Sequence, residues 1–282
     1  MSEAKGMDIF MDTYGVRLER IGNIAVITLN RPDRQNSLDE HMWNCFEEVI
    51  SDLKQRLPRA IVLTGAGEKA FCAGFDVNPK NPQVTLLIKA LETHEKAPVE
   101  SLINRVRTIT DSLVFLPVPV IAAINGLAYG GGAEIASRCD LRVMDPDAVI
   151  SFSEVKLGLM PDHGGVVGLT RLVGSAKASD LILTARKLGA EEALAIGVVS
   201  RISEPGKALD EAVELAKGIA DNGPQAVRHA LKVIRKTPDI SYMNALLMES
   251  QEAVDLILTG ECAHGISAFL TKKKPVFPEP AE

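Results

Sequence analysis

Residues 122–140, AAINGLAYGGGAEIASRCD, set three consecutive glycines, Gly130 to Gly132, directly before a helical segment that carries Glu134 in its first turn. Glycines there let a ligand approach the backbone, and the first N–H groups of a helix have no intrahelical partner. Such donors suit an anion, or an oxyanion that develops during a reaction. Glu134 would stand beside any atom bound there and could move a proton; equally, it could only complement the helix dipole at the surface. Two other glycine-bearing loops offer related chemistry. Residues 69–76, KAFCAGFD, permit a second close backbone approach; the plainer alternative is a tight turn that packs Phe71 and Phe75, with Asp76 as a cap. Residues 152–165, FSEVKLGLMPDHGG, put Glu154 just after a buried strand, and Asp162 and His163 before two glycines. A carboxyl at a strand end beside a glycine loop can serve as acid or base, or can be a solvated loop charge.

Other common chemistries lack their motifs. Gly65-Ala66-Gly67 follows a strand, but Ala70 stands where a dinucleotide fingerprint needs its third glycine, and no helix opens there. There is no P-loop and no HExxH, and residues 265–269, GISAF, end in Phe269 where a nucleophile elbow needs glycine. His94 and His264 are isolated, and only His163 is near the proposed chemistry.

The elements that must position these loops read as α/β. Residues 16–20 and 24–29 are β-branched runs joined through Gly22, a hairpin. Arg31-Pro32-Asp33 breaks the second run, and Ser37 or Asp39 can cap a helix reaching about Leu53. Residues 60–64 form a short apolar strand, 71–76 a compact loop, and 78–82 a break with two prolines. Residues 84–92 and 99–115 read as helices; in the second, Leu102, Val106, Ile109 and Leu113 share one face. A buried strand over 118–124 precedes the glycine run and a helix to about Arg138, followed by short strands at 141–144 and 149–152. The apolar strand, glycine turn and glycine loop that start at Ala60 recur from Val118, a hint of a repeated ββα plan. From Ser175 the pattern is helical, interrupted by one strand at 198–202.

Composition limits the partners. Hydrophobic residues are 46% and charged residues 24%, too apolar for disorder, and 282 residues can bury a sizeable core. A net charge of −6 argues against general affinity for nucleic acid or anionic membrane, but leaves room for an anionic ligand on backbone amides or a local basic patch. Cys45, Cys72, Cys139 and Cys262 are far apart with no CxxC pair, which argues against a zinc site or disulfide framework and suits a reducing, cytoplasmic setting. Residues 1–11 carry acids and no apolar stretch, unlike a signal or transit peptide. Residues 113–136 are apolar, yet contain Pro117, Pro119, Asn125, the glycines and Glu134, so they read as buried core, not a membrane span.

Taken together, LNRPDRQNSL, TGAGEKAFCAGFD, PVIAAINGLAYGGGAEIASRCDL, FSEVKLGLMPDHGG and LGAEEALAIGVVSRI resemble, in order and spacing, the enoyl-CoA hydratase/isomerase (crotonase) family. The likeness runs from the first hairpin to the C-terminal AFLTKKKPVF. It implies a crotonase-like spiral of ββα units over residues 1–174 and a helical trimerisation region over 175–282, within one functional unit. It implies homotrimers, often paired as homohexamers, and an acyl-CoA thioester as substrate. The thioester oxygen would sit between the backbone N–H groups of Phe75 and Gly131. Lys69, Ala70 and Ala73 would lie at the adenine and phosphate end of coenzyme A, with Lys69 able to pair with a phosphate.

Hydratases of the family carry one glutamate after the glycine run and one in the later loop, as Glu134 and Glu154 do here. The resemblance therefore implies a lyase that adds water to a 2-enoyl-CoA: Glu134 activates the water, and protonated Glu154 supplies the α-proton. No metal or redox cofactor is needed, because the thioester acidifies the α-carbon. Pro161-Asp162-His163-Gly164-Gly165 is a departure from many hydratases. Asp162 resembles the nucleophilic aspartate of the family's aromatic dehalogenases, which Cys72 to Phe75 also echo, but those enzymes lack both glutamates. A PDxGG loop with both glutamates is similar to the crotonobetainyl-CoA hydratase branch. Asp162 and His163 are accordingly read as structural or substrate-tuning. The alternatives are a double-bond isomerase, a hydrolase using Asp162, or a non-catalytic RNA-binding relative, for which Lys272-Lys273-Lys274 is the nearest basic run.

Overall fold

The computed structural model describes residues 8–9 and 15–280, so the stretch 1–11, read as neither signal nor transit peptide, lies outside the described residues except at positions 8 and 9. Strand β1 (Asp8–Ile9) borders β2 (Gly15–Ile21), which turns through Gly22 and Asn23 into an antiparallel β3 (Ile24–Asn30). This is the expected hairpin. Helix α1 (Glu40–Gln55) starts at Asp39, whose carboxylate accepts the Met42 N–H at 2.9 Å. Its apolar residues recur at helical spacing, so Met42, Trp43, Phe46, Val49, Ile50 and Leu53 all lie buried.

From residue 60 the chain repeats one unit three times. The first has β4 (Ala60–Gly65) and β5 (Ala70–Cys72), then α2 (Pro82–Thr93) and α3 (Lys96–Val114). The second has β6 (Val120–Ile124), β7 (Leu127–Tyr129) and α4 (Gly131–Arg138). The third has β8 (Leu141–Met144), β9 (Val149–Ser151), a 3-10 turn over Glu154–Leu157, and α5 (Gly165–Thr184). The chain then runs through β10 (Leu188–Gly189), α6 (Ala190–Ala195), β11 (Arg201–Ile202), α7 (Ala208–Ala220), α8 (Pro224–Lys236), α9 (Tyr242–Leu258) and α10 (Glu261–Leu270).

The first strand of each unit joins a seven-stranded sheet, ordered β1-β2-β3-β4-β6-β8-β11 and parallel from β3 onward. The second strand joins a smaller sheet, β10-β9-β7-β5. The result is an α/β spiral of ββα units with helices at its C-terminal end. The main core packs one face of the large sheet against α1, α3 and the small sheet. On the other face, Ala212, Ala216 and Ala220 of α7 recur every fourth residue and sit on Val26, Val62, Ile121 and Val143.

Three expectations need correction, the first being the compact loop at 71–76, whose first two residues belong to β5. The strand placed at 198–202 is only Arg201–Ile202, because the Val198 and Val199 N–H groups both bond to the Ala193 carbonyl and close the end of α6. The region after Ser175 also holds a second strand, β10, which pairs antiparallel with β9. No single helix among the described residues is long and apolar enough to cross a membrane. Residues 113–136 are divided among the end of α3, β6, β7 and most of α4.

Candidate active site

The glycine run does mechanical work between two layers. An extra carbon on Gly132 would lie 2.2 Å from the Cys72 carbonyl oxygen, and one on Gly74 would lie 2.9 Å from the Gly131 nitrogen. Only glycine lets the start of α4 and the loop after β5 touch in this way. Gly131 is the first residue of α4, so its N–H has no partner within the helix. Phe75 lies in the facing loop, which runs parallel to residues 35–38. There the Leu38 N–H donates to Gly74 O at 2.7 Å, and the Asp76 N–H donates to Leu38 O at 3.0 Å. In a parallel bridge of this kind the N–H of the central residue, Phe75, points away from its partner strand. The two N–H groups expected to act together thus belong to adjoining backbones.

Glu134 is 1% exposed, which rules out a surface residue that merely complements the dipole. Its Oε2 accepts the His163 N–H at 2.7 Å and the Gly165 N–H at 2.8 Å. Gly165 is a forced contact: an added carbon there would stand 2.4 Å from Glu134 Cγ.

Glu154, at the start of the 3-10 turn after β9, is no solvated loop charge either. Both its carboxyl oxygens are shut off from solvent, with no hydrogen-bond partner among the described residues. Burial above all, with the negative charge of Glu134 adding to it, raises its pKa to about 8. The two carboxyls therefore sit in unlike settings, one held by backbone donors and one that keeps its proton near neutral pH.

His163 completes the cluster. It is buried, its Nε2 is 3.0 Å from Asp162 Oδ1, and its Nδ1 is 3.8 Å from Glu134 Oε1. Its ring meets Trp43 edge-on, with centroids 5.7 Å apart. Carbons added at Gly130 and Gly131 would lie 3.5 Å from Glu154 Oε1 and 3.1 Å from His163 Nδ1, so the glycine turn is where these side chains meet. Asp162, with a side chain 40% exposed, faces His163 from the outer side. Cys72 is no nucleophile: burial pushes its thiol up to about 12.

Of the residues expected at the coenzyme A end, Lys69 and Ala70 lie on one rim, and Ala73 lines neither of the cavities there. Lys69 and Ala70 line a cavity of 520 Å³ with Pro32, Gln35, Asn36 and Ala66, and Lys69 also borders a 410 Å³ cavity beside Asn125 and Gly126. The Ala73 N–H is engaged by the Gln35 carbonyl at 3.0 Å.

Sequence reasoning assigned no role to the residues that stitch this rim. The Asn36 side chain donates to Ala66 O and Ala70 O at 3.0 and 2.8 Å, and the Asn125 side chain donates to Gly65 O and Gly67 O at 2.8 and 2.7 Å. Arg31 joins Asp39 and Asp76 at 3.1 and 2.7 Å, tying the start of α1 to the Phe75 loop. Arg138 donates to the His163 carbonyl at 2.8 Å and pairs with Asp111, which fixes the loop carrying Asp162 and His163. Asn36, with φ of 52–55° shared with Gln35, gave a readable signal as a turn residue, but its long-range partners did not.

A model of the enoyl-CoA hydratase/isomerase family matches residues 19–280. The short-chain-enoyl-CoA hydratase of Clostridium acetobutylicum is 37% identical over 265 residues, 94% of this chain and 97% of that protein. The mitochondrial methylglutaconyl-CoA hydratase of Rattus norvegicus is 32% identical over 257 residues, 89% of this chain and 78% of that one. The crystal structure of an enoyl-CoA hydratase from Bacillus anthracis matches with a TM-score of 0.82 at 32% identity, covering 96% and 98% of the two chains. With matches spanning nearly its whole length and a spiral that shares their fold, the chain belongs to the enoyl-CoA hydratase/isomerase family.

Proposed function

We propose that the protein is an enoyl-CoA hydratase, a lyase that adds water reversibly across the double bond of a 2-enoyl-CoA to give a 3-hydroxyacyl-CoA. The observation that carries this reading is the pair of buried carboxyls in unlike environments, Glu134 held by two backbone N–H groups and Glu154 holding its proton to about pH 8. Hydration needs a base for water and an acid for the α-carbon, and an isomerase needs only one such group. Glu134 takes a proton from water as its oxygen attacks the β-carbon. Glu154 gives its proton to the α-carbon as the enolate collapses. The enolate-like oxygen rests on the Phe75 and Gly131 N–H groups, each of which lowers the barrier by about 3 kcal/mol. The thioester makes the α-carbon acidic, so the scheme uses no metal or redox cofactor.

Lys69, Ala70 and Ala73 hold the adenine and phosphate end of coenzyme A, and the acyl chain lies beneath α2. On that helix Leu86, Ile88 and Leu91 are 37%, 51% and 74% exposed, available to an acyl chain and not used in the core. Asp162 is engaged with His163, which favours a supporting role over that of a nucleophile. The C-terminal helices join copies of the chain into a trimer or a pair of trimers.

The test offers crotonyl-CoA with longer, branched, cyclic and aromatic 2-enoyl-CoA esters and follows loss of the conjugated enoyl absorbance. Glu134→Gln and Glu154→Gln should each lower kcat by about 10² to 10⁴ while CoA-ester binding persists. Turnover of none of these esters by the unaltered protein, with binding retained, would assign it a different reaction.

A further inference from the structure

His163 is a buried imidazole with one nitrogen satisfied and one not. Nε2 faces Asp162 Oδ1 at 3.0 Å, while Nδ1, sealed from solvent, has no hydrogen-bond partner among the described residues and lies 3.8 Å from Glu134 Oε1. The remaining Glu134 oxygen is occupied by two backbone N–H groups, so Oε1 is the atom through which that carboxyl can exchange a proton. Trp43 fixes the ring edge-on, and Arg138 holds the His163 carbonyl at 2.8 Å. Asp162 is 40% exposed and Glu134 1%. The three groups thus form a row from solvent to the buried carboxyl. A packing role leaves this buried nitrogen unpaired, whereas a proton-sharing role gives it a partner in Glu134.

We propose that Asp162 and His163 form a proton relay between Glu134 and solvent, a proposal that rests on the hydratase reading. Hydration sends hydroxide from water to the β-carbon and leaves the other water proton on Glu134. It also moves the Glu154 proton to the α-carbon. The products are balanced, but the enzyme ends with its proton on the wrong glutamate. His163 accepts the Glu134 proton at Nδ1 while Asp162 accepts or shares the proton at Nε2. The proton then leaves through Asp162 to water, and Glu154 regains one from the water that replaces the product beside its carboxyl before the next turnover. Direct return between the two glutamates is the competing route, and it gives His163 no part. The charged or titratable groups around the ring are Glu134 and Arg138 on α4, Asp162 beside it, and Glu154 from the preceding loop. Burial opposes charge on the ring, but the Asp162 hydrogen bond and the negative charges of Glu134 and Asp162 outweigh it and raise its pKa.

The experiment compares single-turnover hydration, with enzyme in excess, against steady-state kcat in His163→Gln and Asp162→Asn. The relay predicts that His163→Gln keeps its single-turnover rate within about threefold while kcat falls about tenfold or more, and that added imidazole restores kcat. Asp162→Asn should show the same split in smaller measure. A substrate-free readout accompanies it: the imidazole ¹⁵N signals of His163 should titrate at lower pH in Glu134→Gln than in the unaltered protein. Equal falls in both rates without imidazole rescue, or a His163 titration indifferent to Glu134→Gln, would overturn the relay. Failure of the unaltered protein to hydrate any ester defeats the hydratase reading instead, and the NMR titration still decides whether His163 shares a proton with Glu134.

Discussion

At the scale of single residues, the proposed hydration depends on separating two carboxyls that are chemically alike. Glu154 has to be protonated to act as an acid, and burial beside Glu134 raises its pKa to about 8. The active form therefore prevails below that pH and is lost as pH rises through it. We expect kcat/KM for hydration to be level from about pH 6 to 7.5 and to fall about tenfold per unit above 8. A pH profile of kcat/KM checks this, and a flat profile to pH 10 would remove the acid role from Glu154. A second prediction concerns position. Gly165→Ala would put a carbon 2.4 Å from Glu134 Cγ, a contact the carboxylate can relieve only by leaving its two backbone donors. We expect kcat to fall by about 10²-fold or more, with far-UV circular dichroism unchanged. The two glutamates and the glycines beside them were visible in the sequence as candidates, each open to a plainer surface reading, and only the family resemblance paired them. The place of His163 was not visible: its ring is held by Trp43 of α1, 120 residues away in the chain, and local pattern carries no record of that contact.

At the scale of elements, the short helix α4 presents the Gly131 N–H and Glu134, so both its ends have to be held. Its glycine-rich start is braced by the loop after β5, and its end by Arg142 of β8, a buried guanidinium. Arg142 donates to the carbonyls of Ala136 and Cys139 at the C-terminus of α4 and to Val198 after α6, so one side chain joins three elements. Burial lowers its pKa, while the carbonyl cage and the nearby Asp140 carboxylate favour the cation. Arg142→Met removes these donors and leaves the carbonyls unsatisfied. We expect a loss of about 3 kcal/mol in urea unfolding, with an unchanged m-value. A change below about 0.5 kcal/mol would show that α4 is held by packing alone. The long apolar strands β3, β4 and β6 were readable because burial on both faces writes itself as an unbroken apolar run. The three-residue β7 was not, since it lies between glycines and pairs with β5 and β9, strands distant in sequence. The valines at 198 and 199 misled for a related reason: they are buried as expected, but their N–H groups close a helix instead of entering a ladder.

At the scale of the whole molecule, the C-terminal helices distribute their residues in an order that a lone chain does not explain. In α10 the buried residue is Glu261, whose carboxylate accepts the Gln225 and Ala226 N–H groups at 2.9 and 2.8 Å and caps α8, while Phe269 and Leu270 are 82% and 74% exposed. In α9 the buried residues are Ala245 and Glu252, and Tyr242, Met243, Leu247, Ile257 and Leu258 face outward. The polar groups hold the helices to their own chain: Glu252 meets His229 and Lys232, and Arg235 of α8 meets Asp140. The apolar groups are left for something else. A patch of this kind on a chain carrying a net charge of −6 fits a second copy better than an anionic membrane, because apolar contact is indifferent to like charges that sit outside it. Stable association of copies needs roughly 1,200–2,000 Å² of buried surface per interface, a demand that two apolar helices per chain can meet. We expect light scattering at micromolar concentration to give the mass of a trimer or hexamer. Leu258→Asp with Phe269→Asp should shift the mass to that of one chain, because each carboxylate would have to be desolvated in the interface. The spiral core should survive in that variant, since its packing against α7 and the sheets does not include these side chains. A monomeric mass for the unaltered protein would mean that the exposed helices serve another contact, and a variant that keeps its assembly would place the interface elsewhere on the spiral.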